Sequence, residues 1–329
     1  MADNYKLKYN FGTSQIKVET RLKQIYENSL KYYRQNYRYL EKTEYEYEIK
    51  IIKIVIQIYE EYLYYFYKNY NVYFSDILKA MDKLAIFTVL SENERGIYGK
   101  FKDSIIYINP NLKANSNLGK IERIVLYTAH ELNHLVHDVW MKFIENELNT
   151  LVRNRQIKLE SAQRYYDGFS FLDECLAQEK AENFTYYLLK KKRPAKTLKS
   201  QKIFSKTAFL TNFDFYGEMQ KPGILFGKTL RGLGCIENED EVLKKLSIRA
   251  LSPDFSKKII DEYIHDSQLN DLFILLEYLG VLKEASYAQF GMGDIKALQI
   301  SKKVYDNFKI LASSLQDTRM QLPTKSLRG

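Results

Sequence analysis

Cysteine is nearly absent. The chain holds two, Cys175 and Cys235, in unrelated contexts. That excludes a disulfide framework and a cysteine-built zinc site, and it suits a reducing compartment. Proline is also scarce, with five copies, and glycine numbers 14 among 329 residues. So few turn-formers argue against a many-turned all-β fold and favour long helices. No run of 18 or more apolar residues occurs, so no helical membrane span is expected. The nearest candidate, residues 49–66, is interrupted by Lys50, Lys53, Gln57, Glu60 and Glu61. The opening MADNYKLKYNFG lacks the apolar core of a secretory signal. A cytoplasmic chain is expected, or one exported without a standard signal. The Lys/Asn/Ile/Tyr-rich composition suits an AT-rich genome and, with it, an effector of a host-associated bacterium.

Acidic residues are outnumbered, 41 against 50 Lys and Arg, for a formal net charge of +9. Such a surplus attracts nucleic acid, anionic membrane or acidic protein surfaces without choosing among them. The basic residues are spread along the sequence. The densest run, Lys190 to Arg193, reads as a solvated helix end that complements the helix dipole. Nucleic acid is therefore not the favoured partner.

Tyrosine is plentiful, with 28 copies. Residues 17–70 read as one or two long helices. Lys50, Lys53, Gln57 and Glu60 or Glu61 recur on one face, and Ile49, Ile52, Ile56, Tyr59 and Leu63 on another. Tyr62, Tyr64, Tyr65, Tyr67, Tyr70 and Tyr73 read as amphipathic packing at a core edge rather than as a ligand surface. Between residues 84 and 110 the runs LAIFTVL, GIYGKF and SIIYINP predict two or three strands. A helix is predicted to start at 118–121 and to run past 143, with Leu132, Leu135, Val136, Val139 and Phe143 as an apolar stripe. Another is predicted from Ser170, capped by an S-x-x-D pattern with Asp173, to about Lys192. Beyond residue 200 the sequence looks mostly helical. Asn238 and Ser252-Pro253 are candidate caps, Gly280 a terminator of LNDLFILLEYL, and Asp294 the opening of a last helix.

Histidine is rare as well, with four copies. Three of them lie within TAHELNHLVHDVW, residues 128–140. His130 and His134 share a helix face, which suits two tetrahedral positions around Zn²⁺. Glu131, one step round the helix, is placed to act on a metal-bound water as general base. This is the HExxH pattern. The bland alternative is a pair of core histidines bonded to backbone. His137 lies about 10 Å along the axis from His130, too far to share one ion. It reads as a residue behind the ligands, a substrate contact or a surface residue. On the following helix Glu174, Ala177, Ala181, Phe184 and Leu188 form a stripe on which Glu174 is the one charge. A carboxylate there calls for a cation, so Glu174 is the expected third ligand. Asp173 and Glu179 are the fallback positions, and a simple dipole partner near a helix start is the alternative role for Glu174. Tyr165, Tyr166 and His265 are candidate oxyanion donors.

These motifs resemble the zincin metallopeptidases of the gluzincin branch, in which HExxH on one helix is joined by a Glu from a later helix. ECLA, followed by AENFTYYLL, is similar to the ligand helix of small bacterial gluzincins. The resemblance covers residues 84–192. It implies zinc held by His130, His134 and Glu174, with Glu131 as general base. It also implies that the strand at residues 104–109 is an edge that pairs with extended substrate. The expected fold is α+β and mostly helical, a small mixed or antiparallel sheet packed on the HExxH helix. The expected regions are 1–80 (helical), 81–195 (zincin-like core) and 196–329 (helical). The expected function is a zinc peptidase acting on a protein or peptide, an acidic one if charge selects. The alternative is a non-enzymatic regulatory or binding protein with a structural or degenerate zinc site and a basic helical surface.

Overall fold

The computed structural model describes residues 7–36, 42–69, 71–89, 99–102, 104–109 and 120–192, with helical pieces at 223, 225–229, 274–283, 303 and 305–314. Five helices and three strands carry names below. They are α1 (Gln15–Asn36), α2 (Lys42–Asn69), α3 (Asn71–Met81), β1 (Ile86–Val89), β2 (Gly99–Lys102), β3 (Ile105–Ile108), α4 (Lys120–Arg153) and α5 (Leu159–Lys192). The described residues are thus mostly helical with one small sheet, the coarse architecture expected from the scarcity of turn-formers and the β-rich runs at 84–110. No helix among the described residues is long and apolar enough to cross a membrane.

The sheet has the order β1-β3-β2. β1 runs parallel to β3 and β2 antiparallel to it, so the sheet is mixed and the wholly antiparallel alternative falls. Just before β3, Ser104 takes the left-handed conformation, φ 66°. The middle position of β3 corrects the expectation that residues 104–109 form a substrate-pairing edge. Both sides of β3 already carry a strand, so its ladder groups are spent. On β1, the Phe87 N–H donates to Ser29 Oγ of α1 at 2.8 Å, and Ser29 in turn donates to Ile25 O at 2.7 Å. A helix hydroxyl thus satisfies a backbone donor of an outer strand.

α1 also holds the entry to the sheet. Arg21 reaches across the turn after α3 and donates to Met81 O, Asp82 O and Leu84 O at 2.7 to 3.1 Å. Met81 ends α3, and Asp82 and Leu84 lie in the turn that follows it, so one guanidinium ties down the carbonyls of the whole corner. The apolar face of α2 is buried as its periodicity predicts, and Lys50, Lys53 and Gln57 are exposed. Glu60 and Glu61 depart from that pattern and are buried. Glu60 accepts the backbone N–H groups of Lys8 and Tyr9, and Glu61 pairs with Lys8 Nζ at 2.8 Å. The segment before α1 therefore lies over this end of α2, with Phe11 buried and the Tyr9 ring stacked on Tyr64 at 4.1 Å.

By internal contacts the chain groups into Met1–Val136 with Ala177–Asp214, and His137–Leu176 with Phe215–Gly329. In the second unit α5 starts at Leu159, not at Ser170. The S-x-x-D pattern caps nothing, because residues 159–169 are themselves helical and bury Ala162 and Phe169. Ser170 Oγ accepts a hydrogen bond from Lys283 Nζ instead, at 3.2 Å. Gly280 likewise lies inside helix 274–283 and does not end it. A Cβ on Gly280 would meet Arg164 O at 3.0 Å, and one on Gly168 would meet Leu276 O at 2.1 Å. Both glycines serve a close helix crossing. The end of α4 is closed by Arg155 at φ 58°, with Gln156 N–H donating to Leu151 O at 2.9 Å and Arg155 N–H to Val152 O at 3.0 Å. This is a Schellman closure with arginine in the glycine position. Asn238, Ser252-Pro253 and Asp294 lie outside the described residues.

Candidate metal centre

α4 carries HELNH because its sequence is apolar around most of its circumference between residues 124 and 137. Every position from Ile124 to Asn133 is buried. Polar groups in such a helix need partners, since an unsatisfied buried donor or acceptor costs about 1–3 kcal/mol. Asn133, His134 and His137 each meet a polar partner in the structure. The expected apolar stripe runs out at its C-terminal end, where Val139 and Phe143 are exposed.

His130 is buried and His134 half-buried. Their Nε2 atoms approach to 2.9 Å, with the rings edge-to-face at 79°. Two nitrogens on one tetrahedral zinc lie about 3.3 Å apart, given metal–nitrogen bonds of 2.0–2.1 Å. Small side-chain rotations convert one spacing into the other. Glu174 joins them. One ligand atom from each of His130, His134 and Glu174 lies within 4.8 Å of the others, and this is the one such His/Cys/Asp/Glu group among the described residues. The three positions read from spacing and stripe thus come together. Two imidazole nitrogens and a carboxylate oxygen are a donor set that zinc accepts. Glu131 is buried on the same turn of α4, 5% exposed.

His137 is not a fourth member. It is fully buried, which removes the surface alternative, and its Nδ1 meets Asp173 Oδ1 at 2.5 Å. Its ring also stacks on Trp140, centroids 5.4 Å apart. Asp173, a fallback ligand, is thereby engaged with His137. Glu179 is half-buried and does not belong to the group. On the stripe of α5, Ala177, Ala181, Phe184 and Leu188 are all buried as predicted.

Of the candidate oxyanion donors, Tyr165 and Tyr166 are both half-buried. Burial pushes the Tyr165 phenol up, with Glu277 adding to it. Burial does the same to Tyr166, with Glu145 and Asp173 next in effect. Both phenols are proton donors at neutral pH, as an ordinary tyrosine also is, so the shifts do not choose between them. His265 lies outside the described residues, as do Cys235 and Tyr70. Cys175 is buried.

Two residues that sequence reading passed over stand close to the histidines. Asn133, the fourth residue of HELNH, is fully buried. Its Nδ2 donates to Ala129 O at 2.8 Å and to Ala177 O of α5 at 3.3 Å. Its Oδ1 accepts from the Tyr62 hydroxyl of α2 at 2.8 Å. Tyr62 is fully buried too, packed against Phe66 and Phe184 at 4.7 and 5.5 Å. The available signal was a lone amide on an otherwise apolar helix; its partner was hidden among many tyrosines.

The chain matches no known protein family, no curated protein and no solved structure.

Proposed function

We propose that this chain is a zinc-dependent peptidase of gluzincin type. The observation that carries the proposal is the approach of the His130, His134 and Glu174 ligand atoms to within 4.8 Å of one another. Three protein ligands of mixed N and O type are the habit of catalytic zinc sites, whereas structural sites close with four, usually including cysteine. Zinc bound there supplies a Lewis acid for the substrate carbonyl and a water acidic enough to react at neutral pH.

The remaining work falls to the chain. His130 and His134 bind as neutral imidazoles, and Glu174 contributes one negative charge to a dication. Glu131 accepts a proton from the attacking water as the water oxygen bonds to the carbonyl carbon. It then delivers that proton to the nitrogen as the C–N bond breaks. Its burial beside His130 keeps bulk water from competing for the proton. The substrate class is protein or peptide, and the net charge of +9 favours an acidic one.

The test pairs metal content with hydrolysis of an unfolded protein and a mixed peptide library. Wild type and Glu131→Gln are expected to hold about one zinc per chain, and His130→Ala and Glu174→Ala far less. Hydrolysis by Glu131→Gln is expected to fall about 10²–10⁴-fold. A metal-free wild type, or hydrolysis indifferent to Glu131→Gln, contradicts the proposal. Stoichiometric zinc with no hydrolysis by wild type selects the regulatory or binding protein instead.

A further inference from the structure

We infer that Asn133 and Tyr62 act as a positioning pair that sets the rotation of α4 about its axis, and so the aim of His130 and His134. The inference rests on the zinc reading above and adds residues that touch neither metal nor substrate.

A helix apolar on nearly all sides is poorly specified in rotation, because hydrophobic burial is non-directional. From Ile124 to Asn133 every residue of α4 is buried, so solvent exposure does not choose the phase there. Directional bonds do. Asn133 uses both amide hydrogens and its carbonyl oxygen, on Ala129 O, Ala177 O and the Tyr62 hydroxyl. Turning the amide over would set its oxygen against two carbonyls, neither of which can donate. Turning α4 would break the bonds to α2 and α5 together. Ala177 lies one turn after Glu174 in the sequence of α5, the helix that carries the third ligand. Burial drives the Tyr62 phenol well above its ordinary range and keeps it a donor.

The required accuracy favours such a device. A side chain reaches about 5–6 Å from the helix axis, so a rotation of about 10° displaces an imidazole tip by about 1 Å. Metal–ligand distances tolerate only about 0.2 Å. Buried polar networks that are fully satisfied can specify a register that apolar packing leaves open.

The experiment uses the full chain as wild type, Tyr62→Phe, Asn133→Leu and the double variant. It reads the urea midpoint of the metal-free protein, Zn²⁺ affinity by competition with a chromophoric chelator, and the Co²⁺ absorption spectrum. Tyr62→Phe strands the Asn133 oxygen and is expected to lower the midpoint. The double variant replaces both partners with apolar groups and is expected to regain most of that loss. Zinc affinity is nevertheless expected to stay down about 10–100-fold in the double variant, with an altered Co²⁺ spectrum. Recovery of wild-type affinity and spectrum along with the midpoint would reduce the pair to ordinary core packing and overturn the inference. If Asn133→Leu and the double variant do not fold, Tyr62→Phe decides. An unchanged affinity and Co²⁺ spectrum there overturn the inference, and a loss supports it. A wild type that binds neither metal fails the zinc reading and takes the inference with it. A wild type that binds, with variants that bind equally, fails the inference alone.

Discussion

Two histidines four residues apart could be read as a ligand pair before any coordinates, because helix periodicity alone puts them on one face. Glu174 was legible for a related reason, as the one charge on an apolar stripe. His137 stands outside the group of His130, His134 and Glu174, as helix rise alone led one to expect, but its partner Asp173 required knowing which face of α5 it meets. The pairing of Asn133 with Tyr62 was not legible, since a single amide or phenol carries no periodicity. Tyr62 and Tyr59 make a prediction at this scale. Both are fully buried, and burial pushes both phenols above the ordinary value of 10.0. An unfolded chain gives up these protons first as pH rises. The stability held by each phenol is therefore complete below pH 10 and is lost as pH climbs through the folded value. The expected slope is about 1.4 kcal/mol per group per pH unit in that window. Urea unfolding between pH 9 and 11, the bounds being roughly a unit either side of the ordinary value, should show a smaller decline for Tyr62→Phe. An identical slope in wild type and variant would show that Tyr62 does not hold its proton in the folded state.

Among the described residues, local signals marked helices and strands that are present and went wrong where tertiary packing reassigned a residue. An S-x-x-D pattern marks a start only if the residues before it are not already helical, and residues 159–169 are. Gly280 looked like a stop and is a contact. The strand at 104–109 looked like an edge, and strand order, which no single segment encodes, put it in the middle. The glycines at the crossing in the second unit predict unequal outcomes. Gly168→Ala drives a methyl to 2.1 Å from Leu276 O and is expected to cost about 3 kcal/mol or more. Gly280→Ala meets Arg164 O at 3.0 Å, where about 1 kcal/mol of helix propensity offsets a mild clash, and should stay within about 1 kcal/mol of wild type. Equal losses on thermal denaturation would contradict this geometry. Arg155, left-handed at φ 58°, gives the opposite sign. Arg155→Gly keeps the Schellman closure and should raise stability by about 1 kcal/mol, and a loss would show that the arginine side chain matters more than its backbone.

For the whole molecule, few prolines and glycines pointed to long helices and the runs at 84–110 to a small sheet, and the described residues are mostly helical with one small sheet. Those signals were not enough for the layering. β1 lies against α1 and α2, helices whose sequences carry no mark of a sheet partner. The zinc proposal also has a global consequence. A ligand that binds only the folded chain stabilises it by mass action, about 2.7 kcal/mol at a hundredfold excess over Kd. Chelation should then lower the wild-type melting temperature by on the order of 5 °C, zinc should restore it, and His130→Ala should respond to neither. A melting curve indifferent to chelator in a zinc-loaded sample would separate the metal from the fold. The most direct measurement is zinc K-edge X-ray absorption on the zinc-replete full chain. The account predicts four light-atom ligands at about 2.0–2.1 Å, with the scattering signature of two imidazoles and two oxygens, one of them water. No bound zinc, or a sulfur ligand at about 2.3 Å, would contradict it.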